Sequence, residues 1–303
     1  MSVMKPILNA WLRYTEKPHL ARAKDPDKLR RSFEAKARFY FRGPRGTVYE
    51  PGTVAGVPVV NVAAPSARDS DGPLILYLHG GAYVFGSPKT HQAMLAQLSA
   101  RTGLHACLPD YRKAPEHPFP AAIEDAVAVY SDLAQHPGGI ILGGDSAGGG
   151  LVLALLQEVA RLDLPSPLGC LCLSPLTDFS FTTPSVAANA KSDVVLPVSM
   201  VPLMTEMVMQ DRPLDDPLIS PLLGDFTGAP PIWVCVGDTE ILEDNARLMA
   251  KRLQEQAVET TLVIENDLPH VWPLFHNLLP EARATLDQMA GWISSLPRRS
   301  ADS

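Results

Sequence analysis

The sequence holds no long apolar run. Its longest uncharged apolar stretch, Ala147 to Leu156, has ten residues, against the roughly twenty that a membrane-spanning helix needs. A buried helix is expected there, and no membrane partner. Positive charge is also scarce: 26 Lys and Arg stand against 33 Asp and Glu, a net charge of −7. Phosphate backbones attract basic surfaces, so a nucleic-acid partner is excluded. Cysteine is limited to Cys107, Cys170, Cys172 and Cys235, all within short apolar runs and without CxxC or metal-ligand spacing. Buried reduced thiols and no metal centre are expected. Met1 to Lys17 lacks a clean apolar core and a small-residue cleavage site, so no secretion signal is read there and a cytoplasmic location is expected. Proline is plentiful at 29 residues, but it forms no tract and no Gly-X-Y period, which excludes a collagen-like or linker protein.

What the sequence does contain is an alternation. From about residue 47, short apolar runs take turns with helical stretches. The candidate strands are 47–54, 57–63, 74–78, 105–109, 139–142, 170–173, 232–236 and 261–264, and helices are expected near 89–102, 119–134, 146–161, 243–256 and 281–294. The later strands are continuously apolar rather than alternating, as strands buried on both faces are. Strand and helix in turn imply parallel βαβ units with helices on both faces of one sheet. Two segments break the rhythm. Residues 1–45 read as helical and polar. The long stretch between the strands at 170–173 and 232–236 contains Met200, Leu203, Met204, Met207 and Val208 at helical spacing. The expected organisation is an N-terminal segment, 1–45, and a catalytic domain, 46–303, with 179–214 inserted over the sheet's C-terminal edge. Residues 1–45 and 179–214 together would form one helical cap.

The strand at 139–142 leads into Gly143-Gly144-Asp145-Ser146-Ala147-Gly148-Gly149-Gly150 and then an apolar helix. Gly144, Ser146 and Gly148 form Gly-x-Ser-x-Gly. In that strand–turn–helix context the serine sits on a sharp, strained turn, and the flanking glycines let neighbouring backbones approach. Its hydroxyl is lifted to the sheet edge where α/β folds bind ligands, so Ser146 is the candidate nucleophile. Asp145 beside it reads as structural, a carboxylate favoured at a helix N-terminus. The strand at 74–78 ends in His79-Gly80-Gly81-Ala82-Tyr83. Inward-turned amides there could stabilise a developing oxyanion, and Gly80, Gly81 and Ala147 are the expected donors. His79 is read as a pin for that loop.

These motifs resemble those of the hormone-sensitive-lipase-like, or bacterial family IV, esterases of the α/β-hydrolase superfamily. Asp110-Tyr111-Arg112-Lys113-Ala114-Pro115-Glu116-His117-Pro118-Phe119-Pro120-Ala121 is similar to that family's DYRLAPEHPFPA stretch, with Lys113 in place of Leu. Asp216-Pro217-Leu218-Ile219-Ser220-Pro221 matches its DPxxSP block. The resemblance runs from about 74 to 275. It implies an α/β-hydrolase fold with an eight-stranded, mostly parallel sheet and a helical cap, no cofactor, cleavage of carboxylic esters with small acyl groups, and pairing into a homodimer. Arg112 and Glu116 are expected to form an ion pair bracing their loop.

The triad order in this fold is Ser, acid, His. His270, six residues past the last apolar strand, matches the family's histidine, and His276 reads as a surface or packing residue. For the acid, aligning Leu242 and Asp244 with the family's Asp-Pro-Leu-Arg-Asp places Glu240 on its catalytic Asp. Asp238 is the rival, and Asp244 and Glu243 read as structural. Tyr83, Met204 and Met207 are the candidate substrate contacts. The function expected is a serine carboxylesterase acting on short acyl esters through an acyl-enzyme. An amidase or aryl-formamidase with the same triad, or a non-catalytic small-molecule receptor on this fold, are the alternatives.

Overall fold

The computed structural model describes residues 2–67 and 72–297. All eight strands form, and they join into one sheet in the order β1-β2-β4-β3-β5-β6-β7-β8. β1 (Val48–Val54) and β2 (Val57–Ala63) make a hairpin across Ala55 and Gly56. Both turn residues have positive φ, 48° and 82°, as a two-residue hairpin loop matched to strand twist requires. β2 also pairs antiparallel with β4 (Ala106–Pro109). The remaining neighbours, β3 (Leu74–Leu78), β5 (Ile140–Asp145), β6 (Gly169–Leu173), β7 (Ile232–Gly237) and β8 (Thr260–Glu265), run parallel. The continuously apolar strands β4 to β7 are buried at every position, whereas the edge strand β1 is largely exposed. β5 runs three residues beyond its expected end because Gly143, Gly144 and Asp145 stay in register with Leu171, Cys172 and Leu173. That extension carries the chain straight to Ser146.

Ahead of the sheet lie α1 (Met4–Trp11), which widens into a π-helical stretch over Leu12–Glu16, then α2 (Lys17–Arg22) and α3 (Pro26–Tyr40). Asp25 caps α3 by accepting from the Lys28 amide at 3.0 Å, with Pro26 in the first turn, both favoured start signals. α4 (Pro88–Thr102) packs on one sheet face and α5 (Ala121–Leu133) and α6 (Ala147–Arg161) on the other. The stretch between β6 and β7 holds α7 (Pro184–Ala188) and α8 (Val201–Met209). α9 (Glu243–Glu255) joins α5 and α6, and α10 (Pro280–Ser295) joins α4. The two apolar cores are the two faces of the sheet: Leu142, Cys172 and Val234 point to one, Ile141, Leu171 and Trp233 to the other. This alternation is what a strand's period of two imposes. All four cysteines are buried and free. Among the described residues, no helix is long and apolar enough to cross a membrane.

The expected Arg112–Glu116 pair does not form. Arg112 instead donates to Asp125 and Glu124 at the start of α5, both at 2.9 Å. Glu116 pairs with Arg30 of α3 at 2.7 Å. The reason is local: the chain folds back between them, His117 N–H bonding Lys113 O, which points the two side chains to different neighbours. Lys113 reaches the Asp110 carboxylate and the Tyr111 carbonyl, its ammonium over the Tyr111 ring.

Candidate active site

Ser146 stands between β5 and α6 with φ 53° and ψ −123°, a backbone region that costs about 1–3 kcal/mol and persists only where surroundings enforce it. The enforcement is visible. Ser146 N–H donates to Leu173 O at 2.8 Å, and its carbonyl accepts from Gly150 and Leu176. A Cβ on Gly148 would collide with the Leu78 carbonyl, and one on Gly144 with the Gly148 carbonyl. The two motif glycines are thus space requirements of a helix crossing two strand ends.

Across the sheet edge, β3 ends in a loop whose backbone turns through three positive φ values, 125° at Gly81, 54° at Ala82 and 59° at Tyr83. The Gly80 amide does not face the cavity. It donates to Asp145 Oδ1 at 3.0 Å, so Gly80 drops out of the expected donor set. Among the described residues no acceptor meets the amides of Gly81 and Ala82. Both residues line the cavity beside Ser146, and the amide of Ala147, in the first turn of α6, has no intrahelical partner. The available donors are therefore Gly81, Ala82 and Ala147. Ala82 escaped sequence reasoning because nothing in a Gly-Gly pair reveals which amide is already taken. His79 pins the loop as expected: its ring stacks on Tyr111 at 4.3 Å, and Nδ1 lies 2.8 Å from Gly80 O.

Asp145 is structural, though through different bonds than a helix terminus would supply. It is 2% exposed. Oδ1 accepts from Tyr77 Oη and Gly80 N, each at 3.0 Å, and His91 Nε2 lies 3.1 Å from the same oxygen.

Glu240 rather than Asp238 meets the histidine. Glu240 is 1% exposed, and its Oε2 lies 2.6 Å from His270 Nδ1. Its Oε1 accepts from Ser174 Oγ and Gly237 N, both at 2.7 Å. Asp238 is spent on the next loop, accepting from Asp267 N and Asn266 Nδ2, each at 2.8 Å. Burial opposes a charged His270. The negative charge and hydrogen bond of Glu240, with Asp193 and Asp145 farther off, outweigh it and hold the imidazole pKa above its ordinary value. Nδ1 is taken by Glu240, which leaves Nε2 for the cavity that His270 lines. His276 is a packing residue, 3% exposed, with Nε2 at 3.2 Å from Arg42 O.

Two residues of this arm were missed. Ser174, at the end of β6, donates to Glu240 and accepts from Val271 N at 3.3 Å, binding the acid to the histidine loop. A small polar residue closing a parallel strand was its only signal. Asp193 is 2% exposed and accepts from Val195 N, Leu196 N and Ile241 N at 2.8–2.9 Å. It ties the inserted segment to the Glu240 loop, and burial pushes its own pKa up. An Asp before an apolar run is a turn signal, but the partner loop lies some fifty residues away.

Ser146 and His270 open on a cavity of about 370 Å³. Its wall is mostly apolar, drawn from α1 and α3 (Leu8, Trp11, Phe33, Tyr40) and from the insertion (Leu196, Met204). Met204 lines it. Met207 lies in a separate shallow depression, and Tyr83 is buried outside the cavity with its ring 6.2 Å from Phe179, so neither is placed to touch a ligand beside Ser146.

A strained serine on a strand–helix turn, free amides opposite it and a histidine held by a buried carboxylate define an α/β-hydrolase. The sequence matches the family described as alpha/beta hydrolase fold over residues 75–274. It is 36% identical over 220 residues to an acetyl-hydrolase of Streptomyces hygroscopicus, covering 72% of this chain and 74% of that one. It is 31% identical over 294 residues to an esterase of Acinetobacter venetianus, covering 96% and 94%. The crystal structure of an esterase from the bacterial hormone-sensitive lipase family superposes with a TM-score of 0.91 at 36% identity, covering 98% of this chain and 99% of that one. The chain belongs to the α/β-hydrolase family, in its bacterial hormone-sensitive-lipase branch.

Proposed function

We propose that this carboxylic ester hydrolase works as a serine esterase on short acyl esters through an acyl-enzyme. The observation that carries the reading is the buried Glu240–His270 pair opening on the same apolar cavity as strained Ser146. His270 Nε2 takes the Ser146 proton as Oγ attacks the acyl carbon. Glu240 holds the ring by Nδ1 and stabilises the imidazolium that forms. The negative charge moves onto the carbonyl oxygen, toward the amides of Gly81, Ala82 and Ala147. The imidazolium then protonates the departing alkoxide. Water, deprotonated by His270, attacks the acyl carbon; the acyl–Oγ bond then breaks, Ser146 Oγ takes the proton back from His270, and the carboxylic acid leaves.

Residues 1–45 and 179–214 act in this reading as one cap that limits the acyl group. Support comes from the wall itself, which α1, α3 and α8 contribute to together. Each buried methylene gains about 0.8 kcal/mol, so kcat/KM should rise from acetate toward butyrate or hexanoate, until overpacking cancels the gain. A series of p-nitrophenyl esters tests it. The best substrate should carry an acyl chain of about two to six carbons, with a sharp fall by about twelve. Equal activity on palmitate would discard the cap as a length filter.

A further inference from the structure

The side of the cavity formed by α1 and α3 carries an unusual surface. Among the described residues, ten large hydrophobic side chains are exposed, and six of them fall in the first forty positions: Val3, Met4, Ile7, Tyr14, Phe39 and Tyr40. Val3 and Tyr14 are more than three quarters exposed, at 78% and 77%, and Phe39 is 71% exposed. Val3 at the N-cap of α1 and Ile7 and Ala10 on it recur at helical spacing, with Tyr14 one turn on, so they share a stripe. The stripe joins the end of α3 through Trp11, whose ring meets Tyr40 at 5.3 Å, and Tyr40 meets Phe39 at 5.0 Å. Met4, Ile7, Trp11 and Tyr40 also line the cavity. Through Met4, Ile7 and Tyr40, which are both exposed and part of the wall, the apolar surface therefore continues from the outside of the molecule into the site. Exposed apolar surface of this extent marks an interaction site.

Charge says what covers it. Residues 1–45 contain twelve Lys and Arg against four Asp and Glu, a net +8 in a chain whose total is −7. Arg31, Arg38 and Arg42 are exposed, and no carboxylate among the described residues pairs with them. A second copy meeting this face about a two-fold axis would set one cationic face against another. An anionic surface suits it instead, and the remainder of the chain, net −15, would be turned away from that surface. Aromatic and aliphatic side chains on one face with arginines beside them are the composition of a helix that lies in a lipid interface. The short apolar runs that exclude a spanning helix have no bearing on a surface one.

We propose that α1 and the C-terminal end of α3 dock this protein on an anionic lipid surface, with the cavity mouth facing the lipid, so that ester substrates enter from it. Docking stands apart from the hydrolytic reading, because binding is measured without turnover. The experiment is flotation of the full chain with phosphatidylcholine vesicles, with and without phosphatidylglycerol. The wild type should float with the anionic vesicles, much less with the neutral ones, and should be released as salt rises from about 0.1 M to 1 M. Tyr14→Ser with Phe39→Ser, and separately Arg31→Glu with Arg38→Glu, should each lower the bound fraction at least about tenfold. Both variants should hydrolyse water-soluble p-nitrophenyl acetate at the wild-type rate. Equal flotation with both vesicle types, or none, overturns the proposal. So does a wild-type dimer that Tyr14→Ser with Phe39→Ser converts to monomer. If esters are not hydrolysed while flotation persists, the catalytic reading falls and the docking stands.

Discussion

The two loops that flank Ser146 are held by the same device. In each, a buried carboxylate collects one hydroxyl, one glycine amide and one imidazole. Asp145 takes Tyr77, Gly80 and His91, and Glu240 takes Ser174, Gly237 and His270. The difference is at the far side of each ring. His91 Nδ1 is closed by Thr90 Oγ1 at 2.7 Å, whereas His270 keeps Nε2 free for the cavity. A carboxylate–imidazole pair is therefore scaffolding when both ring nitrogens are bonded and chemistry when one is left open. Buried carboxylates are costly unless their lone pairs are satisfied, so the shared set of donors is a folding requirement first.

Four experiments press on that comparison. The largest effect belongs to the nucleophile both loops serve. Ser146→Ala should lower kcat by about 10⁴-fold or more without loss of folded structure, and phenylmethylsulfonyl fluoride should label Ser146 alone by peptide mass spectrometry. Residual activity within tenfold of wild type in a folded variant would remove Ser146 from the mechanism.

Next comes the open pair. Glu240→Gln should cost up to about 10⁴-fold in kcat, while Asp238→Asn should remain close to wild type, since the Asp238 carboxylate bonds only the 266–267 loop. A crippled Asp238→Asn beside an active Glu240→Gln would reverse the assignment.

The closed pair should behave differently. Asp145→Ala leaves the Gly80 amide and the Tyr77 hydroxyl buried without an acceptor, each costing about 1–3 kcal/mol. It also frees the loop that carries Gly81 and Ala82. Melting temperature and kcat should fall together, kcat by about 10²-fold. A variant of Asp145 that loses activity at unchanged melting temperature would mean that this carboxylate takes part in the chemistry.

The smallest effect is in the pH profile. His270 must be neutral to accept the Ser146 proton, and its pKa is raised, so kcat/KM should fall on the acid side through a limb above the usual histidine value. Asp193 is one of the charges that raise it. Asp193→Asn should therefore move the limb to lower pH, by under about one unit, and preserve activity further into acid. Movement toward higher pH would contradict the electrostatic account.

How much of this was legible beforehand follows from the range of each interaction. The strands were readable because a strand buried on both faces must be apolar along its length, and β4 to β7 are, up to Asp145 at the very end of β5. Ser146 was readable because the strain of its turn needs glycines at fixed offsets, where any Cβ would strike backbone. His270 was readable from its place after the last strand. The resemblance to hormone-sensitive-lipase-like esterases singled out Glu240, against a rival two residues away. Only the fold separated them, by giving Asp238 the amide of Asp267 and Glu240 the ring of His270.

The rest was decided in three dimensions. Gly80 and Gly81 are identical in sequence, and Asp145, sixty-five residues on, consumes the amide of one and leaves the other free. Arg112 and Glu116 look like partners at four residues' spacing, yet each finds its ion pair on a different helix. Tyr83 and Met207 look like pocket residues, yet the left-handed turn at 81–83 and the pitch of α8 point them elsewhere. Local sequence determined where the chain is strained and which faces are apolar, because sterics and burial act over a few residues. Which donor remains unpaired is a property of the whole assembly, because a hydrogen bond made by a distant segment removes it from use.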